Sequence, residues 1–422
     1  MDKSSVRRKR IVLGVVRSVL LIVAVNFCCQ SQAKGQEPLP QGAGRKIVET
    51  VCTLCHTLTR VVNARYTQED WEALVNRMVQ IGAPLKPEEI PLVIKYLATN
   101  FSGGPKTRGV TVPGPVKVTI KEWKVPTPGS EPHDAIYTPD GAVWYTASFR
   151  NLLGRFDTKT QQFKEYPLRT PNSIPHGLVA DKEGNIWFTA AGGGYIGELD
   201  PKTGRIKEFS LNNPDAKWPH TAVFDHNGNL LFTVTIGNML GRLNPKTGEV
   251  NLVTLPTPNA GPYGLVPNSR GIFYFTERDV PQLGSIDSET MEVTEYVMPN
   301  PKIGPRRLAL DSHDVVWFTD SARGYLDRYN PKTKEFKEWP SPSGPKSFPY
   351  GMTIAKNSVW YVESEVKPNM LVRFDIQTEK FQSWPIPSGG GIVANMSLGT
   401  DDEIWFSCRG TDTIALAKVE RN

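Results

Sequence analysis

Residues 52–56 read Cys-Thr-Leu-Cys-His, a C-x-x-C-H spacing that carries the most specific chemistry in the chain. Two thiols three residues apart on one helical turn can add to the two vinyl groups of a haem. The adjacent His56 then falls beneath the ring and binds its iron. The spacing predicts one covalent haem c, with Cys52 and Cys55 as thioether links and His56 as proximal ligand. A zinc site would want a second Cys/His pair nearby, and residues 34–116 hold no other Cys or His. A redox dithiol has no need of the histidine and belongs in a βαβ context. For the distal position, Met78 is the only methionine of this region. A thioether there would raise the potential and block small ligands, as electron transfer requires. The other reading of Met78 is core filler on an apolar helix face.

The elements that must position these groups are helices. Residues 42–57 read as a helix running into the motif. Thr67-Gln68-Glu69-Asp70 opens a second helix with an N-cap and early acids; Trp71, Leu74, Val75, Met78 and Val79 form its apolar face, and Gly82 ends it. Pro87-Glu88-Glu89 starts a third, carrying Ile90, Val93, Ile94, Tyr96 and Leu97. Three short helices around C-x-x-C-H resemble a class I-like cytochrome c domain, over residues 40–101. Residues 102–116 are Gly- and Pro-rich without periodicity and read as an interdomain linker.

Residues 1–33 read as a signal peptide. Arg7 to Arg10 form a basic start, residues 19–25 an apolar stretch, and Ser31-Gln32-Ala33 a small-residue cleavage site. This places the mature protein in the periplasm or another extracytoplasmic space. A membrane enters only through an uncleaved signal or a lipid on Cys28. The same segment accounts for the net charge of +6: it holds six basic residues and one acid, leaving 43 basic against 42 acidic. A nucleic-acid partner is therefore not indicated. The expected partners are a redox protein or a small-molecule substrate.

Residues 117–422 repeat. A Pro landmark recurs at 132, 175, 219, 262, 305 and 349, a period of 43 or 44. An aromatic strand recurs seven times, from Trp144-Tyr145-Thr146 and Trp187-Phe188-Thr189 to Trp405-Phe406-Ser407. Units of this length with four short strands are propeller blades. The last repeat stops after three strands, and an orphan strand over residues 118–125 is expected to complete it. The predicted fold class is an all-β seven-bladed propeller with a small all-α domain at its N-terminus. The residue after each Pro begins the innermost strand at the channel: His133, His176, His220, Tyr263, Arg306, Tyr350 and, in the divergent seventh repeat, Asn395. Three residues past the aromatic position come Glu277, Asp320 and Glu363, so three adjacent blades offer imidazoles and the next three carboxylates. A divalent metal on His133, His176 and His220 is one reading; a repeat feature, each His bonding a backbone carbonyl, is the other. His226 and His313 read as turn residues.

The repeats, with Pro-His-Gly at 175–177, Gly-Asn-Ile-Trp-Phe-Thr at 184–189 and Ile-Gly-Glu-Leu-Asp at 196–200, resemble the streptogramin lyase (virginiamycin B lyase) family. The resemblance implies a Mg²⁺ held by acids and a histidine general base for opening a cyclic depsipeptide ester by elimination. Glu131-Pro132-His133 matches the family's Glu-Pro-His, making Glu131 and His133 the candidate catalytic pair. Ser148 stands at the second acid, and Asn395 or Ala394 at the preceding blade's histidine. Three functions compete: an exported mono-haem redox protein handling a substrate or partner at the channel, a metal-dependent C–O lyase, and a non-catalytic binding propeller. The haem motif favours the first.

Overall fold

The computed structural model describes residues 39–54, 58–80, 82–103, 106–400 and 402–420. The expected signal peptide, and Cys55 and His56 of the haem motif, lie outside the described residues.

Seven four-stranded antiparallel sheets form the propeller. The first blade runs Pro132–Thr138, Ala142–Ala147, Leu152–Asp157 and Phe163–Pro167, from channel to rim, and five blades repeat this order. The seventh is composite. Its chain-terminal strands Met396–Leu398, Glu403–Cys408 and Thr413–Glu420 are completed by Lys117–Lys124, which pairs with the last strand from Lys117↔Glu420 to Lys124↔Thr413. Ring closure thus uses the orphan strand read from the sequence.

Hydrophobic burial between blades holds the ring. Trp187, Ile196 and Phe209 of the second blade pack on Leu211, Ala222, Leu230 and Phe232 of the third. The Gly of the Leu-Gly-Arg and Ile-Gly-Glu repeats follows from packing within each blade. A Cβ at Gly154, Gly197, Gly241 or Gly284 would come within 1.9–2.2 Å of the neighbouring strand's aromatic ring.

A second bond type ties blade to blade. The hydroxyl ending each aromatic triad donates to the carbonyl of the channel residue in the next blade: Thr146 to His176, Thr189 to His220, Thr233 to Tyr263, Thr276 to Arg306, Thr319 to Tyr350 and Ser407 to His133, at 2.6–3.1 Å. In the first five the same hydroxyl accepts an N–H from its own inner strand, as Gly177 N–H does to Thr189 at 2.8 Å. The sixth blade has Val362 at this position.

Residues 39–103 form a helical unit: α1 (Arg45–Val51), α2 (Leu58–Asn63), α3 (Gln68–Gln80) and α4 (Glu89–Asn100). The first helix is shorter than its pattern suggested and passes into a 3₁₀ turn at Cys52–Leu54. Thr50 and Thr53 bond back to the carbonyls of Lys46 and Glu49, which competes with regular helix. Thr67 caps α3 through the Asp70 N–H, as its sequence predicts. α1 crosses α4 at Gly44, where a Cβ would stand 2.9 Å from the Leu92 carbonyl and Tyr96 and where φ is +102°. Val48, Trp71, Val75, Val93, Tyr96 and Leu97 form the core, with Cys52 packed at its edge.

The Gly/Pro-rich segment that follows is pinned rather than slack. Thr107–Arg108 pairs in parallel with Val366–Lys367. The N–H groups of Val110 and Val112 donate to Ser343 and Ser383 hydroxyls, and Ser383 N–H returns a bond to the Val112 carbonyl. These contacts hold the helical unit at the channel mouth, where Arg77 of α3 meets Glu131 at 3.5 Å and Lys106 meets Glu365 at 3.2 Å. Among the described residues, no helix is long and apolar enough to cross a membrane.

Candidate channel site

Each inner strand enters the channel by the same local device. The residue before the landmark proline is left-handed in five blades: Glu131, Ile174, Trp218, Gly261 and Phe348, at φ +43 to +69°. Bulky or β-branched residues adopt this region only under strain, and such strain concentrates where side chains must be aimed. The ladder then slips between the proline and the third residue after it, in all six regular blades. A bulge of this kind frees two residues from strict alternation. Both the first and the second residue after the proline therefore line the channel.

The first ring is the one read from the sequence. His133, His176 and His220 are buried, with ring centroids 3.6 Å apart for His133–His176 and 4.3 Å for His176–His220. Their donor nitrogens lie within 4.8 Å of one another. Tyr263 continues the ring 3.9 Å from His220, and its hydroxyl bonds that of Tyr350. Arg306 stacks on both phenols, 5.0 and 4.7 Å from their centroids. At the seventh position Ala394 packs with Tyr263 and Tyr350. That repeat lacks the landmark proline, and its inner strand begins only at Met396. His226 and His313 are exposed on turns, as expected.

The second ring is Asp134, Gly177, Thr221, Gly264, Arg307 and Gly351, and sequence reading missed it. Arg307 is the tie across the channel, donating to the Ala394 carbonyl at 2.8 Å, Thr221 Oγ1 at 3.0 Å and Asp134 Oδ1 at 3.1 Å. Asp134 also accepts from His133 Nδ1 at 2.8 Å. Reading the repeats one residue further in would have shown an acid, a hydroxyl and a guanidinium interleaved with glycines.

Burial holds all three imidazoles well below the ordinary histidine value, with Arg409 and Arg307 adding to it at His133, so they are neutral near pH 7. Burial raises Asp134 against the opposing pull of Arg307. Burial alone would raise Tyr263, but Arg306, Arg307 and Arg278 outweigh it and lower the phenol, while burial raises Tyr350 to about 12.

The carboxylates expected beside the imidazoles face their own blades. Asp320 accepts from the N–H groups of Gly304 and Ala322 and pairs with Arg323. Glu363 accepts from Ser341 and from the Ser343 N–H. Glu277 is fully buried and bonded to Gln282, and burial pushes its carboxyl up to about 8. Asp320 and Glu363 sit where loop N–H groups need acceptors, so their role is capping.

The Virginiamycin B lyase family profile matches residues 114–344. The chain belongs to this family. The selenomethionine-substituted virginiamycin B lyase from Staphylococcus aureus is 25% identical, with TM-score 0.66, over 72% of this chain and 99% of that one. A catalytically inactive histidine-to-alanine variant of that enzyme with Quinupristin gives 24% and 0.65 over 72% and 99%. Kuenenia stuttgartiensis Hydrazine Synthase, at 12% identity and TM-score 0.58 over 71% and 97%, shares the fold. No curated protein matches the chain.

Within this virginiamycin B lyase-family propeller, the lyase constellation is incomplete. Glu131 stands at the mouth, but its carboxylate is held by Arg409 at 3.3 Å and Arg77 at 3.5 Å. Ser148 donates to the Pro175 carbonyl at 2.7 Å and offers no charge. One acid neutralised by two guanidiniums does not fit a magnesium ion, which needs hard anionic oxygens.

Proposed function

We propose that this protein is an exported, mono-haem c-type member of the virginiamycin B lyase family that passes electrons to or from a substrate or partner at its propeller channel. The carrying observation is Cys52-Thr53-Leu54-Cys55-His56 on a helical unit whose α3 contacts the channel mouth through Arg77 and Glu131. Three features of the described residues fit a haem. Cys52 is half-buried at the edge of the helical core. Leu54, between the motif cysteines, is 65% exposed and leaves apolar surface for a porphyrin to cover. Met78 of α3 is half-buried, one residue from Arg77, and so is not fully enclosed as core filler would be. Bound haem supplies one-electron chemistry. Cys52 and Cys55 would anchor it, and His56 and Met78 would hold its iron. The Arg77–Glu131 ion pair ties the helical unit to the propeller two residues before His133.

Export over residues 1–33 accords with thioether attachment outside the cytoplasm. Redox difference spectra recorded while candidate substrates are added test the reading. Reduction of the haem by a substrate class, slowed by Arg77→Glu, supports it; a haem that no substrate or partner reduces argues against it.

Family membership and the Glu131-Pro132-His133 match favour a second reading, C–O lyase chemistry. Linearisation of a cyclic depsipeptide, followed by mass and abolished in Glu131→Gln and His133→Ala, would favour it over electron transfer.

A further inference from the structure

His133 alone enters the lyase reading; the trio it forms with His176 and His220 enters neither, and its geometry has no explanation in packing alone. Packed aromatic rings prefer centroid separations of about 4.5–7 Å. Here two imidazole pairs stand at 3.6 and 4.3 Å. The repeat-feature explanation requires each imidazole to bond a backbone carbonyl. Instead the bonds the imidazoles make go to side chains, His133 Nδ1 to Asp134 and His220 Nδ1 to Thr221. His176 Nδ1 and His220 Nε2 are buried and meet no hydrogen-bond partner among the described residues. A buried, unsatisfied nitrogen in a native structure calls for a ligand or ion.

We propose that His133, His176 and His220 form a metal centre for one late first-row transition ion, zinc or copper, with its remaining position open to the channel. Two of the three donors are already oriented. His133 Nδ1 donates to Asp134 at 2.8 Å and His220 Nδ1 contacts Thr221 Oγ1 at 2.9 Å, so each presents Nε2. Carboxylate or hydroxyl partners behind metal-binding imidazoles do this in zinc sites generally. Asp134 and Thr221 are in turn held by Arg307. Donors around a tetrahedral ion at ~2.1 Å stand ~3.4 Å apart. Small side-chain rotations bring a set within 4.8 Å to that spacing. Three neutral nitrogens select zinc or copper over magnesium or calcium. Arg307 is paired with Asp134 and Arg409 with Glu131, while Arg306 stacked on Tyr263 and Tyr350 favours an anion in the open position.

The trio lies on the propeller, so this proposal stands apart from the haem reading. Full-length purified protein is stripped with chelator, offered Zn²⁺, Cu²⁺ or Mg²⁺ separately, desalted, and its elements counted, with iron reporting haem. The expected result is one zinc or copper per chain and no retained magnesium. The bound metal should fall at least tenfold in His133→Ala, His176→Ala and the near-isosteric His176→Asn, while His313→Ala keeps it and iron is unchanged throughout. Circular dichroism confirms that each variant is folded. Failure to retain zinc or copper, or equal retention by the folded trio variants, overturns the proposal. So does a histidine cluster that binds water only.

Discussion

Replacing Arg307 by Met tests whether one buried guanidinium holds the channel together. Arg307 is 5% exposed and bonds three blades other than its own, through Ala394, Thr221 and Asp134. Methionine keeps the volume but leaves Asp134, 3% exposed, without its cation. Breaking a buried ion pair by removing one partner typically costs about 3–5 kcal/mol, because the remaining charge stays desolvated. Asp134 already has a folded-state value raised by burial, and losing Arg307 raises it further. A carboxyl raised in the folded state contributes stability below its unfolded value and loses it as pH rises through the folded value. The defect should therefore be larger at pH 8 than at pH 5. Adding Asp134→Asn removes the stranded charge, so the double variant should recover part of the loss. Urea unfolding followed by circular dichroism at the two pH values measures all four corners of the cycle. A loss under about 1 kcal/mol for Arg307→Met, or no recovery in the double variant, would refute a buried electrostatic tie.

Three further perturbations probe the scaffold. Glu277 has its carboxyl raised from 4.5 to about 8, so the protein should lose stability, on the order of a few kcal/mol, between these values as pH rises. Glu277→Gln should flatten that slope in thermal melts; an unchanged slope would contradict it. Thr189→Val deletes the bonds to Gly177 N–H and the His220 carbonyl, and should cost about 1–3 kcal/mol in denaturant titration. Indifference to this change would show that the blade-to-blade hydroxyls are incidental. Gly241→Ala places a methyl 2.2 Å from Phe232 Cζ and should destabilise by about 1–3 kcal/mol, checked by the urea midpoint.

The blades were legible because ring closure repeats one packing problem seven times. Six of the seven solutions leave the same Pro, all seven an aromatic on the second strand and four the same Gly, at 43- to 45-residue spacing. The strand Lys117–Lys124 was legible because three strands cannot close the last blade. The first ring followed from the residues after each Pro. The second did not, since strict strand alternation sends Asp134 and Arg307 to the opposite face and only the bulge between Pro132 and Ala135, or Pro305 and Leu308, turns both inward. The Thr of Trp-Phe-Thr was visible as a landmark, but its hydroxyl bonds a carbonyl one blade away, which no local pattern reveals. Glu277, Asp320 and Glu363 read as channel acids because position along the strand is legible and direction at its end is not. The Gly/Pro composition of residues 102–116 likewise hides the serines, Ser343 and Ser383, that pin this segment to the propeller.

Thioether attachment of porphyrin to the helical unit tests the electron-transfer account most directly. The protein is produced with c-type maturation machinery, digested, and the peptide spanning Cys52 and Cys55 is sequenced by mass spectrometry. The account predicts one porphyrin joined to both sulfurs of that peptide. Recovery of the peptide with both thiols free to alkylate would contradict it.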